Sequence, residues 1–144
     1  MPITPDSWTA LEPMVEAFWR FEQIPFSSEM ALQTWQTAWA QPDFMRGWLL
    51  EFESQTVGYV VLTFGFSLEY GGLDAYVDEL FVKPEFRGRG FGTQALAFLT
   101  LECQKLNIAA LHLEVDADNH DAKVLYAKMG FESTKRELMN KVLP

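Results

Sequence analysis

The residues Arg87-Gly88-Arg89-Gly90-Phe91-Gly92-Thr93 follow a predicted strand, Tyr76–Val82, and precede a run of helical periodicity that reaches Leu106. Glycines at alternate positions let the backbone approach a ligand closely. A helix that begins among them directs unpaired N–H groups and the positive end of its dipole toward an anion. This order of strand, glycine loop and helix predicts a phosphate-binding loop.

The spacing of the loop excludes two common nucleotide-binding motifs. A dinucleotide-binding loop needs Gly-x-Gly-x-x-Gly, and a nucleotide triphosphatase loop needs Gly-Lys followed by Ser or Thr. The sequence instead reads Arg-x-x-Gly-x-Gly, with Arg87, Gly90 and Gly92 at the marked positions and a second cation at Arg89. Main-chain N–H groups and two guanidinium groups suit a pyrophosphate. A tight strand-to-helix connection without a ligand is the alternative.

Length and composition bound the class of protein. The chain has 144 residues, 49% of them apolar, and we predict a single domain over residues 1–144. The lone Cys103 excludes an internal disulfide and is expected as a packed thiol. The sequence shows no signal peptide or membrane span, which predicts a cytoplasmic protein with no membrane partner. The net charge of -9 argues against binding nucleic acid and suits small cationic partners, although solubility alone would explain it.

Two amphipathic helices are predicted ahead of the first strand. Asp6 or Ser7 can cap the first helix, and Ser27 or Ser28 can cap the second. All five tryptophans lie within the first 48 residues. Their rings either pack these helices or wall a pocket for an acceptor molecule.

The remaining pattern defines the fold class. Residues 45–52 and 56–67 are rich in aromatic and β-branched residues and predict an antiparallel hairpin. The strand before the glycine loop, the helix after it and a strand at 109–115 form a β–α–β unit, which implies parallel pairing. A helix at 121–129 and one or two strands within 131–143 complete the chain. The predicted sheet is mixed, and the fold class is α/β or α+β.

A second segment of the sequence narrows the class of protein to which the glycine loop points. The residues Asn119 to Phe131 read N-x-x-A-x-x-L-Y-x-K-x-G-F. This pattern, at this distance after an Arg-x-x-Gly-x-Gly loop, resembles the GNAT superfamily of N-acetyltransferases, and the two motifs span about half of the chain. The resemblance implies a mixed, centrally splayed β-sheet flanked by helices, with acetyl-CoA as co-substrate and no metal.

The resemblance also assigns donor-binding residues by position. The backbone of Leu80, Phe81 and Val82 would pair with pantetheine as an added strand. The loop residues Gly88 to Thr93, which are Gly88, Arg89, Gly90, Phe91, Gly92 and Thr93, would hold the pyrophosphate with main-chain N–H groups. Arg87 and Arg89 would add charge at its rim, or they would be solvated loop charges.

Two positions of the second motif carry expected roles. Tyr126 matches the family's usual general acid, which protonates the departing thiolate; as an alternative it is a core aromatic on a short helix. Asn119 matches a residue that holds a water or the pantetheine arm, and it can also cap the helix. No histidine has a metal-ligand spacing, and His112 is expected to be packed or at a sheet face.

Two acids, Asp78 and Glu79, are candidates for the general base. Strict alternation along the strand places Asp78 and Glu79 on opposite faces, so only one of them would point into the site. The acidic pair before an apolar strand end is similar to the diamine and thialysine acetyltransferases, in which Asp78 would occupy the base position. Other members carry their acid two residues earlier, where this chain has Tyr76. Water-mediated proton removal, or a role for either acid as an anchor for a cation, is also open.

These expectations favour an acetyl-CoA-dependent N-acetyltransferase that acts on a small primary amine. Protein or peptide amines and aminoglycosides are alternative acceptors, and a non-catalytic acyl-CoA-binding or regulatory module is an alternative of another class. A homodimer is expected from the resemblance.

Overall fold

The structure, a computed structural model, describes residues 1–144 as a four-stranded mixed sheet with helices. The elements in chain order are α1 (Trp8–Phe21), α2 (Ser28–Trp39), β1 (Met45–Phe52), β2 (Gln55–Ser67), β3 (Gly72–Val82), α3 (Phe91–Lys105), β4 (Ala110–Leu113) and α4 (His120–Lys128). Strand order is β1-β2-β3-β4; β3 and β4 are parallel and the other pairs are antiparallel. The predicted mixed α/β class is confirmed.

The chain divides into two compact units, residues 1–114 and 115–144. The first unit holds the sheet and the first three α-helices, and the second holds α4. One domain over residues 1–144 stays a prediction. No helix in either unit has the length and apolar character needed to cross a lipid bilayer.

The N-terminal helices begin at the predicted serines. A 3₁₀ turn precedes α1, and the Ser7 hydroxyl accepts a hydrogen bond from the N–H of Thr4 (3.1 Å). Ser27 caps α2 by accepting a bond from the N–H of Met30 (3.4 Å). The buried face of α2 carries Ala31 rather than Met30, which is 67% exposed. Helical spacing predicts both Met30 and Trp35 on the apolar face; Trp35 is buried there, and the prediction for Met30 is wrong.

Apolar side chains fill both faces of the sheet. The first cluster joins α1 and α2 to one face and contains Leu11, Met14, Val15, Trp35, Leu49, Tyr59, Val61 and Phe81. The second cluster joins α3 to the other face and contains Trp48, Val60, Leu62, Ala75, Leu99 and Cys103. Period-two alternation along β2 separates the two sets. The Cys103 thiol is buried as predicted, and burial followed by the nearby Glu102 raises its pKa.

One close backbone contact fixes the pairing of β2 with β3. Gly58 lies opposite Val82, and a Cβ built on Gly58 would fall 2.1 Å from the carbonyl oxygen of Phe81. Only glycine leaves room for that carbonyl. Because the neighbour is backbone, a larger residue cannot be accommodated by a rotamer change.

We expect Gly58→Ala to lower the free energy of unfolding by about 1–3 kcal/mol, the usual effect of forcing extra volume into a packed site. Chemical denaturation measures it. The matched control is Gly92→Ala, since a Cβ on Gly92 meets nothing within 4 Å and alanine favours the helix. Equal stability of the two variants would contradict the role of the Gly58 contact.

The predicted C-terminal strands are absent. Residues 129–144 contain no helix or strand, and β4 ends at Leu113 instead of Val115. A strand is stabilised by cross-strand partners and by burial of one face. Leu138, Met139 and Val142 have neither, since all three are more than half exposed. The apolar periodicity of this segment predicted strands, but it did not define a neighbouring strand with which they could pair.

Candidate active site

A β-bulge brings the two acids of β3 to one side of the sheet. Val61 pairs with Glu79 and the next residue, Leu62, pairs with Val77, so Asp78 is an extra residue on β3. A bulge rotates the strand locally and lets consecutive side chains share a face. The prediction that Asp78 and Glu79 point to opposite faces is therefore wrong. Strict alternation failed because the register shift leaves no signal in the sequence of β3.

The two acids line a cavity of about 500 Å³ within the first unit. Its walls come from α1, α2, the segment that follows α2, and the first three strands. The lining side chains are Trp19, Thr34, Trp35, Thr37, Ala38, Gln41, Phe44, Met45, Val61, Thr63, Asp78 and Glu79. No basic residue is among them, so the only charges in the cavity wall are the two carboxyl groups.

Glu79 is held from two directions. The indole N–H of Trp19 donates to its carboxylate (3.1 Å to Oε1 and 3.4 Å to Oε2), and the Tyr59 hydroxyl donates to Oε2 (3.2 Å). Burial raises the pKa of Glu79 to about 6; the Asp78 charge also raises it, while the Trp19 and Tyr59 hydrogen bonds lower it. The result is a positioned carboxyl group that exchanges a proton near neutral pH.

Asp78 differs from its neighbour in its contacts. More than a third of its residue surface is accessible, and no protein group donates a hydrogen bond to its carboxylate. Surrounding atoms of the concave wall nevertheless raise its pKa by desolvation. Asp78 is thus open to a ligand in the cavity, whereas both oxygens of Glu79 are already engaged.

The tryptophans divide between the two predicted roles. Trp19 and Trp35 line the cavity and also pack in or against the first cluster. Trp8 packs edge-to-face on Trp39 with ring centroids 6.2 Å apart, and Trp48 packs on Phe98 at 5.3 Å. Packing and pocket lining therefore coexist in the N-terminal helices. The sequence could not separate the roles because helical spacing is the same for both.

The glycine loop opens onto space above the start of α3. Gly88 and Gly90 have positive φ (72° and 84°), and a Cβ on either, or on Gly92, would meet no atom within 4 Å. Gln94 is the first residue of α3 whose N–H bonds back, to Gly90 (3.0 Å). The N–H groups before it are left for another acceptor. This loop has the geometry that an anion site at a helix N-terminus requires.

Both arginines of the loop are engaged within the protein. Nε of Arg87 donates to the carbonyl of Val82 (2.8 Å), and its guanidinium lies 5.6 Å from the Phe81 ring centroid. The Arg89 guanidinium lies 5.0–5.5 Å from three phenylalanine ring centroids, Phe52, Phe86 and Phe91. Arg89 is therefore stacked rather than freely solvated, which the sequence did not reveal because Phe52 is distant in the chain.

An open gap lies beside the second half of β3. β3 pairs with β4 only from Asp74 to Val77, so residues 78–82 have no partner on that side. The carbonyl of Phe81 faces β2, as its proximity to Gly58 shows, and cannot serve a ligand in the gap. Alternation then directs the backbone groups of Leu80 and Val82 toward the gap. The pairing of Leu80 and Val82 with pantetheine stays a prediction, and the Val82 carbonyl accepts a hydrogen bond from Arg87.

The second unit places the other predicted residues on and before α4. The Asn119 side chain caps the helix by accepting a bond from the N–H of Ala122 (3.2 Å). The Tyr126 ring packs edge-on against Phe131 with centroids 6.1 Å apart, and the Phe131 N–H donates to the Tyr126 carbonyl (3.0 Å). Asn119 and Tyr126 are thus held on a short, capped helix.

No group of three or more His, Cys, Asp or Glu side chains is arranged to hold a metal ion. The sequence missed three features of the first unit: the Trp19 and Tyr59 donors to Glu79, the polar wall of α2, and an Asp74–His112 pair on β3 and β4. The Glu79 contacts and the Asp74–His112 pair join residues far apart in the chain, and the face of α2 that lines the cavity is defined only by its packing against the sheet, so no local spacing could have shown them.

Comparison with known proteins identifies the class to which this fold and site belong. The sequence model described as the acetyltransferase (GNAT) family matches residues 11–131. The chain therefore belongs to the GNAT family of acetyltransferases, as the two motifs indicated.

Individual relatives agree with this class. A Bacillus subtilis (strain 168) protein, provisionally named a ribosomal protein bS18-alanine N-acetyltransferase, is 28% identical over 119 residues, which cover 78% of this chain and 77% of that protein. An integron cassette protein from the mobile metagenome of Cole Harbour Salt Marsh is 31% identical, with a TM-score of 0.87 and coverage of 99% of this chain and 89% of that one. A Clostridium acetobutylicum protein, assigned as an acetyltransferase by prediction and solved with acetyl-CoA, shares the fold (18% identity, TM-score 0.79, coverage 98% and 94%).

Proposed function

We propose that the protein transfers an acetyl group from acetyl-CoA to a small, cationic primary amine. The observation that carries this proposal is the pair of adjacent carboxyl groups, Asp78 and Glu79, in the wall of a cavity without basic residues. An ammonium group is attracted by such a pair, and a carboxylate-bearing acceptor is repelled by it. A cavity of about 500 Å³ matches a small molecule.

The donor would occupy the glycine loop and the gap beside β3. The main-chain N–H groups of residues 88–93 would hold the pyrophosphate, and the backbone of Leu80 and Val82 would pair with pantetheine. Arg89 would approach the phosphates while stacked on its phenylalanine rings. Arg87 would either break its hydrogen bond to the Val82 carbonyl to reach the phosphates or keep that bond and stabilise the loop. Bound acetyl-CoA supplies a thioester, which a neutral amine can attack.

The acids of the cavity would prepare the amine for that attack. Asp78, which has no protein donor, would accept hydrogen bonds from the ammonium, and Glu79, fixed by Trp19 and Tyr59, would accept its proton. A carboxyl group with a pKa of about 6 is a stronger base than an ordinary glutamate and is still ionised at neutral pH. Tyr126 would protonate the leaving thiolate, a role proposed from its place in the second motif.

Two classes of acceptor, a free small amine and a peptide N-terminus, are candidates for this fold. A relative is named for a protein-alanine substrate, so a peptide N-terminus is the second candidate. The acid-lined cavity of about 500 Å³ favours a free amine, because a peptide would have to place its N-terminal residue there and the rest of its chain outside. The acceptor class is therefore tested by size and charge together.

We expect calorimetric titration to show binding of acetyl-CoA, and thiol release to depend on an added amine. A matched pair tests the acid-lined cavity: 1,5-diaminopentane should be acetylated with at least about 10-fold higher kcat/KM than lysine, which adds only a carboxylate, for a difference of ~1.4 kcal/mol. Preference for an Ala-initiated peptide would replace the small-amine assignment. Binding of acetyl-CoA without acceptor-dependent thiol release would show a non-catalytic module.

A further inference from the structure

A buried acid and a histidine form a pair on β3 and β4, outside the cavity. Asp74 is 7% exposed, and its Oδ2 lies 3.2 Å from Nε2 of His112. A carboxylate oxygen accepts only, so the hydrogen of this bond is assigned to Nε2. The lone pair of the imidazole is then on Nδ1, to which no protein group is bonded. A histidine held in this tautomer by a carboxylate is arranged to act as a base.

The pair sits in a tightly built niche. The ring centroids of Tyr76 and Tyr70 lie 4.7 and 5.3 Å from that of His112, so both tyrosine rings pack against the imidazole. A Cβ on Gly65 would fall 2.9 Å from Oδ1 of Asp74, so glycine is needed there for the carboxylate to keep its place. The titratable groups that face His112 are Asp74 and Tyr76 from β3 and Tyr70 from the turn between β2 and β3. The His112 side chain keeps 23% of its surface accessible.

The register of the sheet puts this niche beside the cavity. Thr63 lines the cavity and pairs with Tyr76, which pairs in turn with His112, so the three form one row across the sheet. Directly paired residues share a face, and neighbouring strands are about 4.8 Å apart. The next pair, Val77 with Leu113, is the last between β3 and β4, and the open gap of β3 begins after it. His112 therefore lies on the face that carries the cavity, two strands from Thr63 in its lining and one residue before the last pair that borders the gap.

We propose that His112, oriented by Asp74, is a second proton acceptor for the acceptor amine; this inference rests on the proposed acetyltransferase function. After Glu79 has taken the ammonium proton and the amine has attacked the thioester, an N–H bond on the positively charged nitrogen of the tetrahedral intermediate breaks, its electron pair stays on nitrogen, and the proton bonds to Nδ1 directly or through one water. The imidazolium so formed is stabilised by the Asp74 carboxylate and releases its proton to solvent. Asp74 is a positioning residue in this step.

Chemical rescue tests the role. His112→Ala leaves a space the size of one imidazole ring beside Tyr70 and Tyr76. We expect kcat to fall about 10²-fold, the lower range for loss of a proton-transfer group. Added imidazole should restore at least a tenth of the wild-type kcat, while KM for acetyl-CoA stays within twofold. Asp74→Asn should also lower kcat and leave KM for acetyl-CoA within twofold, because the imidazolium loses the carboxylate that orients and stabilises it. His120→Ala makes the same change at the other histidine. Its kcat should equal that of the wild type, with or without added imidazole.

Several outcomes overturn the proposal. An His112→Ala enzyme with wild-type kcat excludes a proton-transfer role, and a loss that imidazole does not restore assigns His112 to structure alone. If the variant does not fold, ¹⁵N NMR of the wild type decides, since a proton on Nδ1 instead of Nε2 contradicts the assigned base. Failure of the proposed function is separate: it would appear as a wild-type enzyme that acetylates no amine of the panel.

Discussion

Replacing Tyr126 with phenylalanine should lower turnover about 10²–10⁴-fold, the range expected for loss of a general acid. The leaving thiolate would then depart without a proton from the protein. Phenylalanine keeps the ring that packs on Phe131, and the cap formed by Asn119 is unaffected, so α4 should be retained. The substitution should therefore lower kcat.

Three measurements separate this result from a structural defect. Calorimetric affinity for acetyl-CoA should stay within a few-fold of the wild type, and the melting temperature should be unchanged. The kcat of the wild type should also fall as a proton-donating group is titrated at high pH, and that limb should be missing from Tyr126→Phe. Turnover close to wild type would remove Tyr126 from the role that the second motif implies.

The sequence was sufficient for those parts of the fold that depend on local pattern. Helix caps, the β1–β2 hairpin and the parallel β3–β4 pair follow from capping serines, alternation and the order of elements. The C-terminal strands were wrong because a strand depends on a partner, and apolar periodicity does not define one.

The candidate site was predictable only where its residues are neighbours in the chain. The glycine loop and the second motif are local, and so they could be found. The bulge at Asp78 is a property of pairing with β2, and the bond from Trp19 to Glu79 joins residues 60 positions apart. The acid pair was therefore visible as residue types, whereas its shared cavity required the structure.

Glu79→Gln and Asp78→Asn should both lower kcat/KM for a cationic amine, by different routes. Asp78→Asn removes a charge that faces the ligand, so KM for the amine should rise about 10-fold with a smaller change in kcat. Glu79→Gln removes the proposed proton acceptor, so kcat should fall about 10²-fold. Glutamine keeps an oxygen that can accept from Trp19 and Tyr59, and the cavity wall should stay in place.

The pH profile identifies which acid takes the proton. The proposed base must be ionised, so wild-type kcat/KM should rise with pH through about 6, the pKa of Glu79. This limb should disappear in Glu79→Gln and persist in Asp78→Asn. Glu22→Gln, on an exposed side chain at the end of α1, should match the wild type throughout. Full activity of both cavity variants would exclude each acid from the reaction.

Stability should change in the opposite direction to activity at Glu79. Its folded-state pKa of about 6 lies above its ordinary value of 4.5, so the protonated group favours the folded state. That contribution is complete below pH 4.5 and is lost as pH rises through about 6, an effect of up to about 2 kcal/mol. Glu79→Gln stays neutral, so it should unfold at higher denaturant than the wild type at pH 7.5, and this difference should vanish at pH 4. A wild type that is the more stable of the two at pH 7.5 would show that the Trp19 and Tyr59 hydrogen bonds to the carboxylate outweigh its desolvation.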